Sequence, residues 1–178
     1  MYNVEFKAEL RDPALARAIL AGLKAAPIVT LHQTDTYFRV TVGRLKKREC
    51  PGEPTEYILY DRPDRLQPKV SHFKIYSEAE ARQRFGEAPL PVRVVVRKVR
   101  DLFMLGNVRI HVDVVESLGN FMEFEAIVSP ETPVERCSRA VAELREALAP
   151  ALGEPVSVGY ADLIESQNDH ALTDTPPA

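Results

Sequence analysis

VRIHVDVVESLGNFMEFE, residues 108–125, holds two strand-like runs whose polar positions are as regular as their apolar ones. Over Val108–Glu116, the side chains of Arg109, His111 and Asp113 fall on one face and those of Ile110 and Val112 on the other. Over Phe121–Val128, Glu123 and Glu125 share a face opposite Met122, Phe124 and Ala126. A period of two marks a strand with one apolar and one polar face.

The same pattern recurs in both directions from this stretch. Near the start of the chain Glu5, Lys7 and Glu9 oppose Val4, Phe6 and Ala8. Lys46 and Arg48 share a face in LKKRE, Tyr60 and Arg62 in EYILYDR, and Lys98 and Arg100 in VRVVVRKVR. Residues 28–49 read as hairpin strands, IVTLHQ and DTYFRVTV, turning at Gly43-Arg44, and Lys69–Tyr76 adds a further strand. A last short strand or turn is expected around Val156–Leu163. Helix signals occur three times. Asp12-Pro13 supplies an N-cap and a first helical proline for a helix to about Ala25. Ser77 and Glu80 form a capping box for a helix to Phe85. Ser129-Pro130 opens a helix to about Ala149, with Cys137, Val141, Leu144 and Leu148 on one face. About eight strands with short connections and about three helices predict an α+β fold. The expected architecture is an eight-stranded antiparallel barrel decorated by helices over residues 1–165. Ser166–Ala178, polar and ending in two prolines, is expected to be a disordered tail.

Two arrangements are compatible with the charged faces. In one they are solvated and the apolar faces form the core. In the other the barrel is wide, its apolar faces pack under the helices, and its charged faces line a tunnel. The residues alone leave both open. A tunnel bearing both signs has a definite chemistry: Lys and Arg match the oxygens of a polyphosphate. Carboxylates repel phosphate, so they imply a divalent ion between the two. Glu123-x-Glu125, with Asp113 on the adjoining strand, is the best metal candidate.

The chain has 178 residues, 45% hydrophobic and 28% charged, a composition that fits one soluble domain. Its 23 Lys and Arg against 26 Asp and Glu give a net charge of −3. Residues 151–178 carry five acids and no Lys or Arg, so the first 150 residues are net +2. A nucleic-acid partner is not expected, because the basic cluster Arg44, Lys46, Lys47 and Arg48 lacks interleaved aromatics. No signal peptide and no membrane span is expected, and two cysteines make no disulfide framework, so a cytoplasmic location is expected.

In order along the chain, NVEFKAEL (3–10), QTDTYFRV (33–40), GRLKKRE (43–49), YILYDRPD (57–64), PKVSHF (68–73), VRKVR (96–100), residues 108–125 and GYADLI (159–164) resemble the CYTH superfamily of class IV adenylyl cyclases and thiamine triphosphatases. The chain looks most like the cyclase-like branch. The resemblance implies an eight-stranded triphosphate tunnel using Mg²⁺ or Mn²⁺. The metal set it implies is Glu5, Glu123 and Glu125, with Asp113 close by. The phosphate set is Lys7, Lys46, Arg48, Arg62, Lys69, Lys98 and Arg100, with Arg109 a further candidate. Tyr160 lies in the motif that closes such tunnels. One departure stands out: the family signature E-x-E-x-K reads Asn3-Val4-Glu5-Phe6-Lys7 here. Asn3 offers a neutral carbonyl oxygen but no charge. Glu9, on the same face, either restores the lost carboxylate or removes a phosphate contact.

His111 reads as a general base or metal ligand on one side, and as a satisfied histidine beside the tunnel on the other, the second being the more frequent case. Cys50, in a Pro/Gly loop, has no nucleophile context. Three functions follow. The leading one is a metal-dependent cyclase converting ATP to cyclic AMP and pyrophosphate. The second is a triphosphatase acting on inorganic or organic triphosphate, and the third a non-catalytic polyphosphate or nucleotide module. A homodimer is the expected assembly, by likeness to related cyclases.

Overall fold

The computed structural model describes residues 2–61, 64 and 66–173. Its strands are β1 (Tyr2–Leu10), β2 (Ala26–Phe38), β3 (Arg44–Glu49), β4 (Glu56–Asp61), β5 (Lys69–Ser77), β6 (Val92–Leu105), β7 (Val108–Val115), β8 (Gly119–Ile127) and β9 (Leu152–Pro155). The helices are α1 (Pro13–Gly22), α2 (Glu78–Phe85), α3 (Val134–Leu148) and α4 (Tyr160–Thr173). All strand pairings are antiparallel, in the order β5-β4-β3-β2-β6-β7-β8-β1-β9. A further pairing of β1 with β5 closes the first eight strands into a barrel. Strand β9 extends the β5 edge of β1 at its other end, Ala8 facing Pro155 and Leu10 facing Leu152.

The hairpin that opened the sequence reading lies where the pattern placed it. Strands β7 and β8 pair from Val108–Ala126 to Val115–Gly119. Their three-residue connection needs left-handed backbone at Ser117 (φ 65°) and Gly119 (φ 100°), and a glycine takes the more extreme of the two. Register then carries every side chain to a defined face, because a one-residue slip would invert both strands.

The apolar faces lie outside the barrel. Val4, Phe6 and Ala8 of β1, Val108, Ile110 and Val112 of β7, and Met122, Phe124 and Ala126 of β8 pack beneath helices. Ala16 and Leu20 of α1 and Cys137, Val141, Leu144 and Leu148 of α3 cover them. Of the three helix starts that the sequence signalled, two are capped as expected, while the helix signalled from Ser129-Pro130 begins at Val134, behind Pro133 and with no side-chain cap. Asp12 accepts from Leu15 N at 2.9 Å, and Ser77 and Glu80 make a reciprocal capping box. Burial of the outward face leaves the other face of each strand to the interior. β1 is accordingly buried on both faces, with Asn3, Glu5 and Lys7 at most 6% exposed. Of the two arrangements left open by the residues, the tunnel is the one formed.

Two expectations are corrected. The segment near Val156–Leu163 is not a terminal strand or turn throughout: β9 ends at Pro155 and a fourth helix starts at Tyr160. Asp162, in the first turn, supports its start by accepting from Gly159 N at 2.9 Å. The tail expected from Ser166 continues this helix to Thr173, and residues 174–178 lie outside those described. Among the described residues no helix is long and apolar enough to cross a membrane.

Candidate active site

The barrel encloses a cavity of about 530 Å³. Alternation along β1, β2, β3, β6, β7 and β8 turns Glu5, Lys7, Lys46, Arg48, Lys98, Arg100, Arg109, His111, Glu123 and Glu125 into it. The two signs are unevenly distributed, with Lys7 of β1 and Arg109 of β7 standing among the acids. The β2–β3–β6 wall carries Lys46, Arg48, Lys98 and Arg100, and the β1–β8–β7 wall carries Glu5, Glu123, Glu125 and His111.

Asp35 organises the cationic wall, and the sequence reading passed over it. It sits on the central strand β2 with no exposed surface. It accepts from Lys46 Nζ at 2.9 Å, Arg48 Nε and Nη2 at 2.8 Å each, and Lys98 Nζ at 2.8 Å. Burial alone would raise its pKa, but Lys46, Lys98 and Arg48 outweigh burial and hold the carboxyl well below its usual range. The lysines respond in the opposite sense. Burial, reinforced by Arg48 and only partly opposed by Asp35, lowers Lys46 to about 7. Burial likewise lowers Lys98 to about 8, with Asp35 opposing. The signal that could have found Asp35 is one acid on the inward face of a strand flanked by basic ones.

Asp113 was expected beside a metal. The structure places it with no exposed surface, accepting from Arg100 Nε at 2.7 Å, Arg100 Nη2 at 2.6 Å and Tyr160 Oη at 2.7 Å. Both its oxygens are engaged in aiming Arg100, and it stands outside the carboxylate–imidazole cluster of the opposite wall. Tyr160, at the start of α4, is buried and lines the cavity. Its ring lies 4.0 Å from Lys7 Nζ and packs edge-on against Phe121. Arg93 of β6 holds α4 in place through Asp162, at 2.6 Å, and Glu165.

On the acidic wall, Glu123 receives Lys7 Nζ at 3.4 Å and Arg100 Nη2 at 3.0 Å. Burial would raise its pKa, and Lys7, His111 and Arg100 together bring it well below the usual value. Glu5 lies directly across from Glu125 in the β1–β8 register, and Arg109 across from it on β7. One donor atom each from His111, Glu123 and Glu125 lies within 4.8 Å of the others. Three buried polar atoms lack a hydrogen-bond partner among the described residues: Asn3 Oδ1, Gln33 Oε1 and His111 Nδ1. All three residues line this one cavity. Their polar atoms face the cavity and are free to meet whatever fills it, solvent included. His111 Nδ1 lies 3.5 Å from Glu123 Oε2, beyond ordinary hydrogen-bond length.

The remaining candidates fall elsewhere. Lys69 is buried but does not line the cavity, and donates to the Ser157 carbonyl at 2.7 Å. Glu9 is exposed at the end of β1 against Gly153, beyond the cavity, so it does not replace the carboxylate absent at Asn3. Arg62 lies outside the described residues. Besides Asp35, the sequence reading missed Gln33, Tyr37, Cys50, Glu53 and Glu56 as lining groups.

A model of the CYTH domain matches residues 1–154. None of the curated proteins is significantly similar to the chain. Among solved structures, PH1012 from Pyrococcus horikoshii OT3 superposes with a TM-score of 0.73 at 21% identity, covering 90% of this chain and 98% of its own. A candidate adenylate cyclase from Vibrio parahaemolyticus gives 0.72 at 16%, covering 93% and 98%. HpAC1 from Hippeastrum, a candidate adenylyl cyclase described with a dominant triphosphatase activity, gives 0.59 at 17%, covering 94% and 96%. At these identities the likeness is one of fold.

Proposed function

The chain belongs to the CYTH domain family, and from that membership and its tunnel we propose that it is a divalent-metal-dependent enzyme acting on a triphosphate, with ATP cyclisation as the leading reaction. The observation that carries this reading is that one barrel cavity brings a clamped cationic wall, Lys46, Arg48, Lys98 and Arg100, to face the cluster of His111, Glu123 and Glu125. Charge explains why both are needed. Among the described residues, six cations line the cavity: Lys7, Lys46, Arg48, Lys98, Arg100 and Arg109. Against them stand Glu5, Glu53, Glu56, Glu123 and Glu125 in the lining, with Asp35 and Asp113 behind it. The balance is near neutral, so a polyanion gains little here without a divalent ion.

The donors fit such an ion. Glu5, Glu123 and Glu125 would hold Mg²⁺ or Mn²⁺ through oxygen, the ligand both prefer. When bound, the ion polarises phosphoryl oxygens and offsets their charge. The chain's own contribution is electrostatic preorganisation: Asp35 and Asp113 fix Arg48 and Arg100 before substrate arrives, so little reorganisation remains. In the cyclase reaction the 3′-hydroxyl oxygen of ATP bonds to the α-phosphorus as the bond from that phosphorus to pyrophosphate breaks. The hydroxyl proton leaves with solvent. Val29, Leu31, Ile58, Phe73, Ile75 and Leu102 line the same cavity and provide an apolar surface for a non-phosphate group. Hydrolysis, in which water attacks the terminal phosphorus, is a second reading favoured by the activity described for the Hippeastrum protein. Asn3, in place of a signature carboxylate, keeps a non-catalytic binding module in view.

Incubating the protein with ATP, inorganic triphosphate and thiamine triphosphate, each with Mg²⁺ or Mn²⁺, separates the readings. Cyclic AMP with pyrophosphate is the expected product. Orthophosphate release alone replaces it with the hydrolase, and binding without turnover of any of the three overturns the enzyme.

A further inference from the structure

His111 has the attributes of a ligand rather than of a core histidine. It is 4% exposed, on the inward face of β7, and its Nδ1 has no hydrogen-bond partner among the described residues. That atom lies 3.5 Å from Glu123 Oε2 and 3.9 Å from Glu125 Oε1. These distances discriminate. Two donors held by one small divalent ion at about 2.1 Å each stand about 3 to 4.2 Å apart, depending on the angle between them. Both separations fall in that interval and exceed ordinary hydrogen-bond length. The three residues are fixed by register, His111 facing Glu123 directly across the β7–β8 pair and Arg109 facing Glu125. The three donor atoms together lie within 4.8 Å of one another, so a small closing of the side chains completes the set.

We infer that Nδ1 of His111 is a metal ligand alongside Glu123 and Glu125, so that the tunnel holds its cation in a mixed nitrogen–oxygen site that favours Mn²⁺ over Mg²⁺. The inference rests on the reading of the tunnel as a divalent-cation site. Its added content is chemical. Mg²⁺ accepts oxygen almost exclusively and parts reluctantly with water. Imidazole suits first-row transition ions, whose affinities for a nitrogen donor exceed that of Mg²⁺. A single imidazole among carboxylates therefore discriminates between two ions that an all-oxygen site barely separates. The rival role for His111, an imidazolium neutralising the two glutamates, predicts the reverse: a bound cation would repel it.

The test uses the full chain without substrate. Mn²⁺ and Mg²⁺ are titrated by calorimetry, and the Mn²⁺ complex is examined by pulsed electron paramagnetic resonance for modulation from a directly bound ¹⁴N. The wild type is expected to show that coupling and to bind Mn²⁺ more tightly than Mg²⁺. His111→Gln should abolish the coupling and weaken Mn²⁺ by at least the ~10-fold that losing even an outer-shell partner costs. Its Mg²⁺ affinity should change far less. The wild-type spectrum decides the point even if the variant does not fold. Mn²⁺ that binds, is lost in Glu123→Gln, and shows no ¹⁴N coupling overturns the histidine ligand while leaving the metal site standing. Mn²⁺ that keeps the spectrum of the free aqua ion removes the metal site, and the inference with it.

Discussion

Asp35→Asn changes one oxygen to nitrogen at the centre of the cationic wall, and its effect can be worked out from the structure. The carboxylate accepts four hydrogen bonds from three cations, at 2.8 to 2.9 Å, in a position with no solvent exposure. Removing one partner of a buried charge network typically costs 3–5 kcal/mol, because the orphaned charges remain. The side chains of Lys46 and Arg48 are 13% and 18% exposed, which relieves part of this and places the loss near ~3 kcal/mol. For a domain of this size that corresponds to a fall in Tm of about 6–12 °C. The pH dependence gives a second handle. With the acid gone, Lys46 and Lys98 lose the group that opposed their lowered pKa values of about 7 and about 8. At pH 6 the variant must either hold three unpaired cations or deprotonate lysines at a cost. At pH 9 both lysines are neutral in either protein, and only the Arg48 partnership is missing. Thermal melts of both proteins by circular dichroism from pH 6 to 9 should therefore show a gap that is largest at low pH and narrows as pH rises. A gap under 2 °C at pH 6, or one that widens towards pH 9, would refute the claim that Asp35 holds this wall together.

Three further outcomes are expected. Converting Glu123 and Glu125 together to Gln keeps the volume but removes the oxygen charge, and turnover of the active triphosphate should fall by at least about 100-fold; Tm should fall as well, because Lys7 and Arg100 lose their buried partner Glu123, and undiminished turnover refutes the metal role. Tyr160→Phe loses a buried hydrogen bond to Asp113, a charged acceptor at 2.7 Å, worth about 1.5–3 kcal/mol, so Tm should drop by about 3–12 °C. An unchanged Tm would mean that Asp113 is satisfied without it. Binding of an uncleavable ATP analogue at pH 8 should take up roughly one to one and a half protons, because the phosphates raise the depressed pKa values of Lys46 and Lys98. Calorimetry in two buffers of different ionisation enthalpy measures this uptake, which should vanish at pH 6, and buffer-independent heats at pH 8 would contradict the lysine assignments.

How much of this was legible in the residues follows from which information a period of two carries. Alternation states that Glu123 and Glu125 share a face, and that Lys98 and Arg100 do. It cannot state whether that face is wet or enclosed, because a solvated barrel and a tunnel have the same strand pattern. The deciding fact is non-local: α1 and α3 present Leu20, Val141, Leu144 and Leu148, and these require an apolar partner that only the outward strand faces supply. Once the apolar faces are claimed from outside, the charged faces have nowhere to go but inward, and each must find a countercharge there. That requirement creates the acids the motif reading misassigned or missed. Asp113 lies two residues from His111 on a strand beside Glu123 and was read as a ligand, yet its oxygens belong to Arg100 and Tyr160. Asp35 was read as part of a strand and nothing more, yet it serves three cations at once. In a polar-lined barrel a carboxylate can therefore be a ligand for the guest or a clamp for the host, and spacing along one strand does not separate the two. Cross-strand register alone does not separate them either: Asp35 and Asp113 lie directly opposite Arg48 and Arg100, but Glu123 lies opposite both Lys7 and His111, and Glu125 opposite both Glu5 and Arg109. What separates them is who holds the oxygens: both oxygens of Asp35 and of Asp113 accept from the wall's own cations, whereas one donor atom each of Glu123, Glu125 and His111 comes together within 4.8 Å, the kind of set a divalent ion bridges.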